Sequence, residues 1–270
     1  HESNIRIVTN DAHTLTDGPT IFLADDIAKI AKFCLQQADI PAAVANELRK
    51  TIQYNSVINE KVAVLNKSYE DGTRDDEDKE KKMSDGRVKP EMKRIMTEIN
   101  DLIACVKSVS LNPMFVPNTQ AHQERFDSHS KGRPFTCDIS ESVVEEIMLI
   151  DDIEDTWKML LLMGIGVFAA HTSIRYTEVM KLLAQQQKLY LIIASSDYIY
   201  GTNYQFCHGY ISKDLGHMSQ EKCIQAMGRV GRNNLQQHYS IRFRDKDIVM
   251  KLFREEPDKP EVANMGILFN

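Results

Sequence analysis

The run LYLIIAS, Leu189 to Ser195, is apolar on consecutive residues, where a half-buried strand would alternate. A strand with two apolar faces must be covered on both, and helices laid over a parallel sheet do this. IGVFAA, Ile165 to Ala170, has the same character, and HGYIS (His208 to Ser212) and HYSIRF (His238 to Phe243) are shorter strand candidates. YTEVMKLLAQQQ, Tyr176 to Gln187, carries helical spacing between the first two. Near the start of the chain the turn residues Gly18 and Pro19 lead into Thr20 to Leu23, a further strand candidate. A helical pattern follows with Ile27, Ile30, Ala31 and Cys34 on one face. Asp25 or Asp26 is placed to cap that helix. The predicted fold class is α/β, a parallel sheet flanked by helices.

The sheet pattern is interrupted. Val44, Leu48, Ile52, Ile58, Val62, Leu65 and Tyr69 recur at mostly three- and four-residue steps, as do Met92, Ile95, Ile99, Leu102, Val106 and Val109. Two long helices are expected, forming an antiparallel hairpin. Its tip would be a solvated, disordered acidic loop near residues 70–88, where almost nothing is apolar. Pro113 and Pro117 exclude a continuous helix beyond the hairpin. ESVVEEIMLIDDIEDTWKMLLLM reads as one more helical stretch. The expected organisation is residues 1–40 opening an α/β lobe, 41–160 a helical insertion that packs on its own domain, recruits a protein partner or guides nucleic acid, and 161–270 completing the lobe.

Composition narrows the function. With 270 residues, 42% of them hydrophobic, the chain can bury a sizeable core. No window approaches the roughly 18 unbroken apolar residues of a membrane helix, and no signal pattern opens the chain. An intracellular protein without a membrane partner is expected. The five cysteines fall in no metal-binding spacing and read as reduced thiols, so neither zinc nor another metal is expected on the chain. The start at His1 suggests that further chain precedes it. The net charge of −6 is unevenly spread: Lys222 to Arg254 holds eight Lys or Arg against two Asp.

That basic stretch contains QAMGRVGRNN, Gln225 to Asn234. Ser219, followed by Gln220 and Glu221, resembles a helix start. Gln225, Gly228, Arg229 and Arg232 then lie on adjacent parts of the following helical turns, so one carboxamide and two guanidinium groups can converge on one target. A guanidinium fork matches phosphate oxygens, and two forks suit a polyanion whose charge changes during reaction. Two glycines inside a helix would cost about 2 kcal/mol without a compensating use, such as close approach of a second surface. In the strand-end stretch ASSDYIYGTNY, Ser195 offers a hydroxyl, Asn203 a carboxamide, and Gly201 a permissive backbone.

Gln225, Gly228, Arg229, Gly231 and Arg232 match QxxGRxGR, the sixth motif of superfamily 2 helicases. The stretch from Gly164 to Asn203 is similar to the part of those proteins that ends in their fifth motif, above all in the Ski-type branch. PTIFLADDIAKIAKFC is similar to their fourth motif. The resemblance covers about Asp17 to Ala38 and Gly164 to Phe243. It implies the second RecA-like lobe of a nucleic-acid-dependent ATPase, a lobe that reaches ATP and Mg held mainly by the N-terminal RecA-like lobe of the same protein. Arg232 would touch the γ-phosphate, with Arg229 as companion and Gln225 helping to place water or phosphate. Gly201, Asn203 and Gly228 would line the nucleotide side. Ser195, where the family has threonine, and His171 would contact the phosphates of single-stranded DNA or RNA. AAHTSIR departs from the family's histidine-alanine-glycine sequence. No GxxxxGK[ST] loop and no DExD or DExH after an apolar strand occurs. The chain is therefore expected to be half an active site and inactive alone, with the other half preceding His1. The rival reading is a non-catalytic interaction module that uses the hairpin.

Overall fold

The computed structural model describes residues 18–80, 90–126, 135–168, 173–199, 204–231 and 239–254. These form two compact units: residues 40–111 with 140–151, and the remainder of the chain.

The larger unit is built on a five-stranded, wholly parallel sheet. Its strands are β1 (Thr20–Leu23), β2 (Ile165–Phe168), β3 (Leu191–Ala194), β4 (His208–Ile211) and β5 (Ser240–Phe243), in spatial order β2-β3-β1-β4-β5. β1 is central: Thr20 stands in register with Leu191 on one side and His208 on the other. Every residue of β1 to β4 is buried, as expected for runs apolar on both faces, whereas β5 is mostly half-buried at the edge. Phe22 of β1 stacks on its register partner Tyr210 of β4, with ring centroids 5.7 Å apart. His208 Nδ1 and Ser240 Oγ, also register partners, lie 2.8 Å apart.

Helix α1 (Ile27–Ala38) packs on β2 and β3. Asp26 caps it, its carboxylate accepting from the Lys29 amide at 3.0 Å. The smaller unit begins with α2 (Ala42–Glu80), paired with α3 (Pro90–Ala104). α2 turns Ala45, Leu48, Ile52 and Ile58 into that unit's core, and α3 turns in Met92 and Ile99. The buried Asn55 joins them: its Nδ2 donates to the Lys107 carbonyl at 2.7 Å, and the Lys107 amide donates to its Oδ1 at 3.0 Å. That contact forces an antiparallel pair. A parallel α3 ending beside Asn55 would put Pro90 about 60 Å from Glu80, at 1.5 Å per helical residue. The connecting chain reaches about 35 Å at most.

The acidic stretch differs from expectation up to Glu80, because α2 runs through it as helix. In the sequence, Glu70 and Arg74, and Asp75 and Lys79, are spaced i,i+4, a pattern that favours helix. Residues 81–89, the rest of the expected loop, lie outside the described residues.

Residues 112–139 and 152–160, expected in the insertion, cluster with the sheet instead. They include α4 (Gln120–Phe126). The single expected helix after Glu141 is two: α5 (Glu141–Met148), in the unit of α2 and α3, and α6 (Asp155–Leu162), packed on α1 and β2. The charged DDIED segment between them breaks the apolar run just where the chain passes from one unit to the other. α5 is tied to the end of the hairpin through Glu141, whose carboxylate accepts from Ser108 Oγ at 2.6 Å and the Val109 amide at 3.2 Å. The Ser108 hydroxyl and then that amide hold the Glu141 carboxyl below its usual pKa. α7 (Ile174–Gln185) covers β2, α8 (Gln220–Met227) follows β4, and α9 (Lys246–Lys251) packs on β5.

Candidate functional site

The chain leaves β1 toward the β2 side of the sheet and leaves β4 toward β5, so the topological switch lies between the carboxyl ends of β1 and β4. The amides of Asp25 and Asp26 both donate to Asp214 Oδ2, each at 3.2 Å, and His217 Nδ1 lies 3.4 Å from Asp25 Oδ2. A carboxylate of the same chain thus takes the two amides that a ligand anion would seek there.

Ser195 stands immediately past β3, half-buried, where the chain enters a 3-10 turn over Ser196–Ile199. α8 packs against that turn. Lys222 of α8 reaches Asp197 of the turn, Nζ to Oδ1 at 3.1 Å. α8 starts as its sequence suggests: Ser219 Oγ accepts from the Lys222 amide at 3.3 Å, with Glu221 in the first turn. Cys223 and Ala226 are buried and Gln225 is exposed. Burial raises the pKa of the Cys223 thiol, and the Lys251 ammonium partly opposes the shift.

The far end of α8 corrects the expected helix. α8 stops at Met227 with Gly228 as its C-cap, so Gln225 and Arg229 do not occupy successive helical turns. The Arg229 amide donates to Ala226 O at 3.2 Å and the Val230 amide to Met227 O at 3.0 Å, a tightened last turn. The chain then pairs with the residue two places before β4: the Phe206 amide donates to Arg229 O at 3.3 Å, and the Gly231 amide to Phe206 O at 2.9 Å. Gly231 has φ +80°, and a Cβ there would lie 3.4 Å from the Tyr239 ring. Glycine at 231 thus permits a left-handed turn out of this bridge. The cost expected for glycines inside a helix does not arise, because both lie beyond its end.

Arg229 is half-buried, with its backbone fixed by the bridge. Ser195, Gln225, Gly228 and Arg229 all belong to the sheet unit. Arg232, Gly201, Asn203 and His171 lie outside the described residues. Among the described residues no group of three or more His, Cys, Asp or Glu could hold a metal ion, and no helix is long and apolar enough to cross a membrane.

Sequence reasoning missed the partners that hold α8. Gln220 Nε2 donates to the carbonyls of Lys251, Leu252 and Arg254 at 3.0, 3.1 and 3.0 Å, closing the C-terminus of α9. Lys251 Nζ returns to the carbonyls of Gly216 and Met218. These links, like Lys222 to Asp197, join residues some 25 to 35 positions apart. Periodicity carries no trace of them. No family model matches the chain, and neither does any curated protein.

Proposed function

We propose that this chain is the C-terminal, RecA-like motor lobe of an ATP-dependent helicase or translocase acting on single-stranded DNA or RNA, with the helical unit as an insertion. The observation that carries the reading is the packing of α8, which carries Gln225 and leads into the GRxGR segment, against the turn that follows Ser195 at the end of β3. A motor needs such an arrangement, because a segment gripping the strand must feel the segment that faces the nucleotide.

In this reading Ser195 and His171 donate to strand phosphates, contacts that position the polymer without reading its sequence. Arg232 and Arg229 extend toward a nucleotide held by another lobe, as an arginine finger does, and Gln225, Gly228, Gly201 and Asn203 border it. MgATP, when bound, supplies the phosphoanhydride whose hydrolysis drives movement. The exposed Gln225 and the backbone-anchored Arg229 suit side chains offered to a nucleotide from outside. The absence of a phosphate-binding loop from the sequence accords with the nucleotide being held elsewhere.

Anisotropy titrations of matched single-stranded DNA and RNA oligonucleotides, run at two salt concentrations on the protein carrying both lobes, test the reading. Affinity should fall steeply with salt and depend little on base sequence. Absence of binding to either polymer would contradict it. The rival, an interaction module, draws on Val57 and Val64 of α2 and Met96 and Ile103 of α3, all exposed apolar residues on the helical unit. Partner binding there is compatible with a motor role for the sheet unit.

A further inference from the structure

We infer that the Asp197–Lys222 ion pair is a positioning device through which strand occupancy at Ser195 acts on the helix carrying Gln225. The inference rests on the function proposed above and assigns the coupling to two residues outside the QxxGRxGR motif. Asp197 lies two residues beyond Ser195 in the 3-10 turn, and Lys222 lies one helical turn before Gln225 on α8. Their 3.1 Å contact spans 25 positions of sequence.

The geometry around the pair gives it leverage. The Lys222 amide donates to Ser219 Oγ, so the lysine sits in the capped first turn, where any shift moves the whole of an eight-residue helix. The other end of α8 is held by the bridge of Arg229 and Gly231 to Phe206. A displacement of the turn after β3, driven by a phosphate drawn to Ser195, therefore reaches the first turn of α8 through Lys222 and shifts it against the Gln220 contacts to the end of α9 and the bridge at the far end. The pair is partly exposed, with side-chain accessibilities of 34% for Lys222 and 80% for Asp197. Exposed ion pairs are worth little in stability, so the effect is one of alignment and is modest in size.

The experiment compares the two-lobed protein with its Asp197→Asn, Lys222→Gln and Lys222→Arg variants and with the double exchange Asp197→Lys plus Lys222→Asp. Hydrogen exchange of the Gln220 to Met227 amides is read without nucleotide, before and after saturation with a single-stranded oligonucleotide. Strand-stimulated ATP turnover is read separately. The strand should slow exchange across α8 in the unaltered protein, less so in the two neutral variants, and again in Lys222→Arg and the exchange. Stimulation should fall about two- to five-fold in the neutral variants, the range an exposed pair commands, and basal turnover should hold. Equal slowing and equal stimulation in all variants would overturn the inference, as would loss in the neutral variants with no recovery in the exchange. An unaltered protein that binds no oligonucleotide would defeat the proposed function itself, an outcome visible before any variant is made.

Discussion

Asn55 shows how one polar side chain sets the geometry of a helical pair. Buried on α2, it exchanges two hydrogen bonds with the backbone of Lys107 just past α3. Asn55→Ala should lower stability by about 1–3 kcal/mol, since the Lys107 groups lose their partner; urea unfolding checks this. Tyr190 presents the opposite case, a buried hydroxyl with no hydrogen-bond partner among the described residues. Tyr190→Phe should be neutral or stabilise by about 1 kcal/mol, because no hydrogen bond is lost. Burial pushes the Cys34 and Cys137 thiols up to about 12 from their ordinary 9.0. In the fold they keep their protons while the unfolded chain gives them up. Stability should therefore fall as pH rises from about 9 toward 12. In neutral buffer the exposed Cys105 should react with a thiol reagent well before the buried Cys34, Cys207 and Cys223.

At the scale of elements, the sequence patterns were most legible where burial is symmetrical. β1 to β4 stand where consecutive apolar residues put them, because a strand covered on both faces has no polar alternation to confuse. The hairpin helices followed their spacing for the same physical reason, an apolar stripe that must be covered. Ends and breaks were less legible. α2 continues to Glu80 through residues that look like loop by composition, where opposite charges recur at i,i+4 in the sequence. α8 stops at Met227 although Gly228 to Arg232 had suggested continued turns, because pairing with Phe206 is a tertiary contact. Gly231→Ala tests that end: strain at φ +80° and crowding against Tyr239 should cost about 1–2 kcal/mol. Exchange of the Gly231 amide should quicken with it.

For the whole molecule, the chain forms two compact units. The sheet unit holds the basic stretch and every residue of the candidate site that the structure describes; the helical unit holds the hairpin with its exposed apolar residues. Of that site, the motif was legible in the sequence as residue types at a spacing. The contacts that seat it, Lys222 to Asp197 and Gln220 to the end of α9, were not, since they join segments distant in the chain. In the proposed function, a guanidinium offered from beyond α8 completes a nucleotide site held elsewhere. Strand-stimulated ATP hydrolysis by the two-lobed protein, compared with its Arg232→Ala variant, tests this most directly. Turnover should fall on the order of 10³-fold while strand affinity without nucleotide is retained; unchanged turnover would contradict the claim.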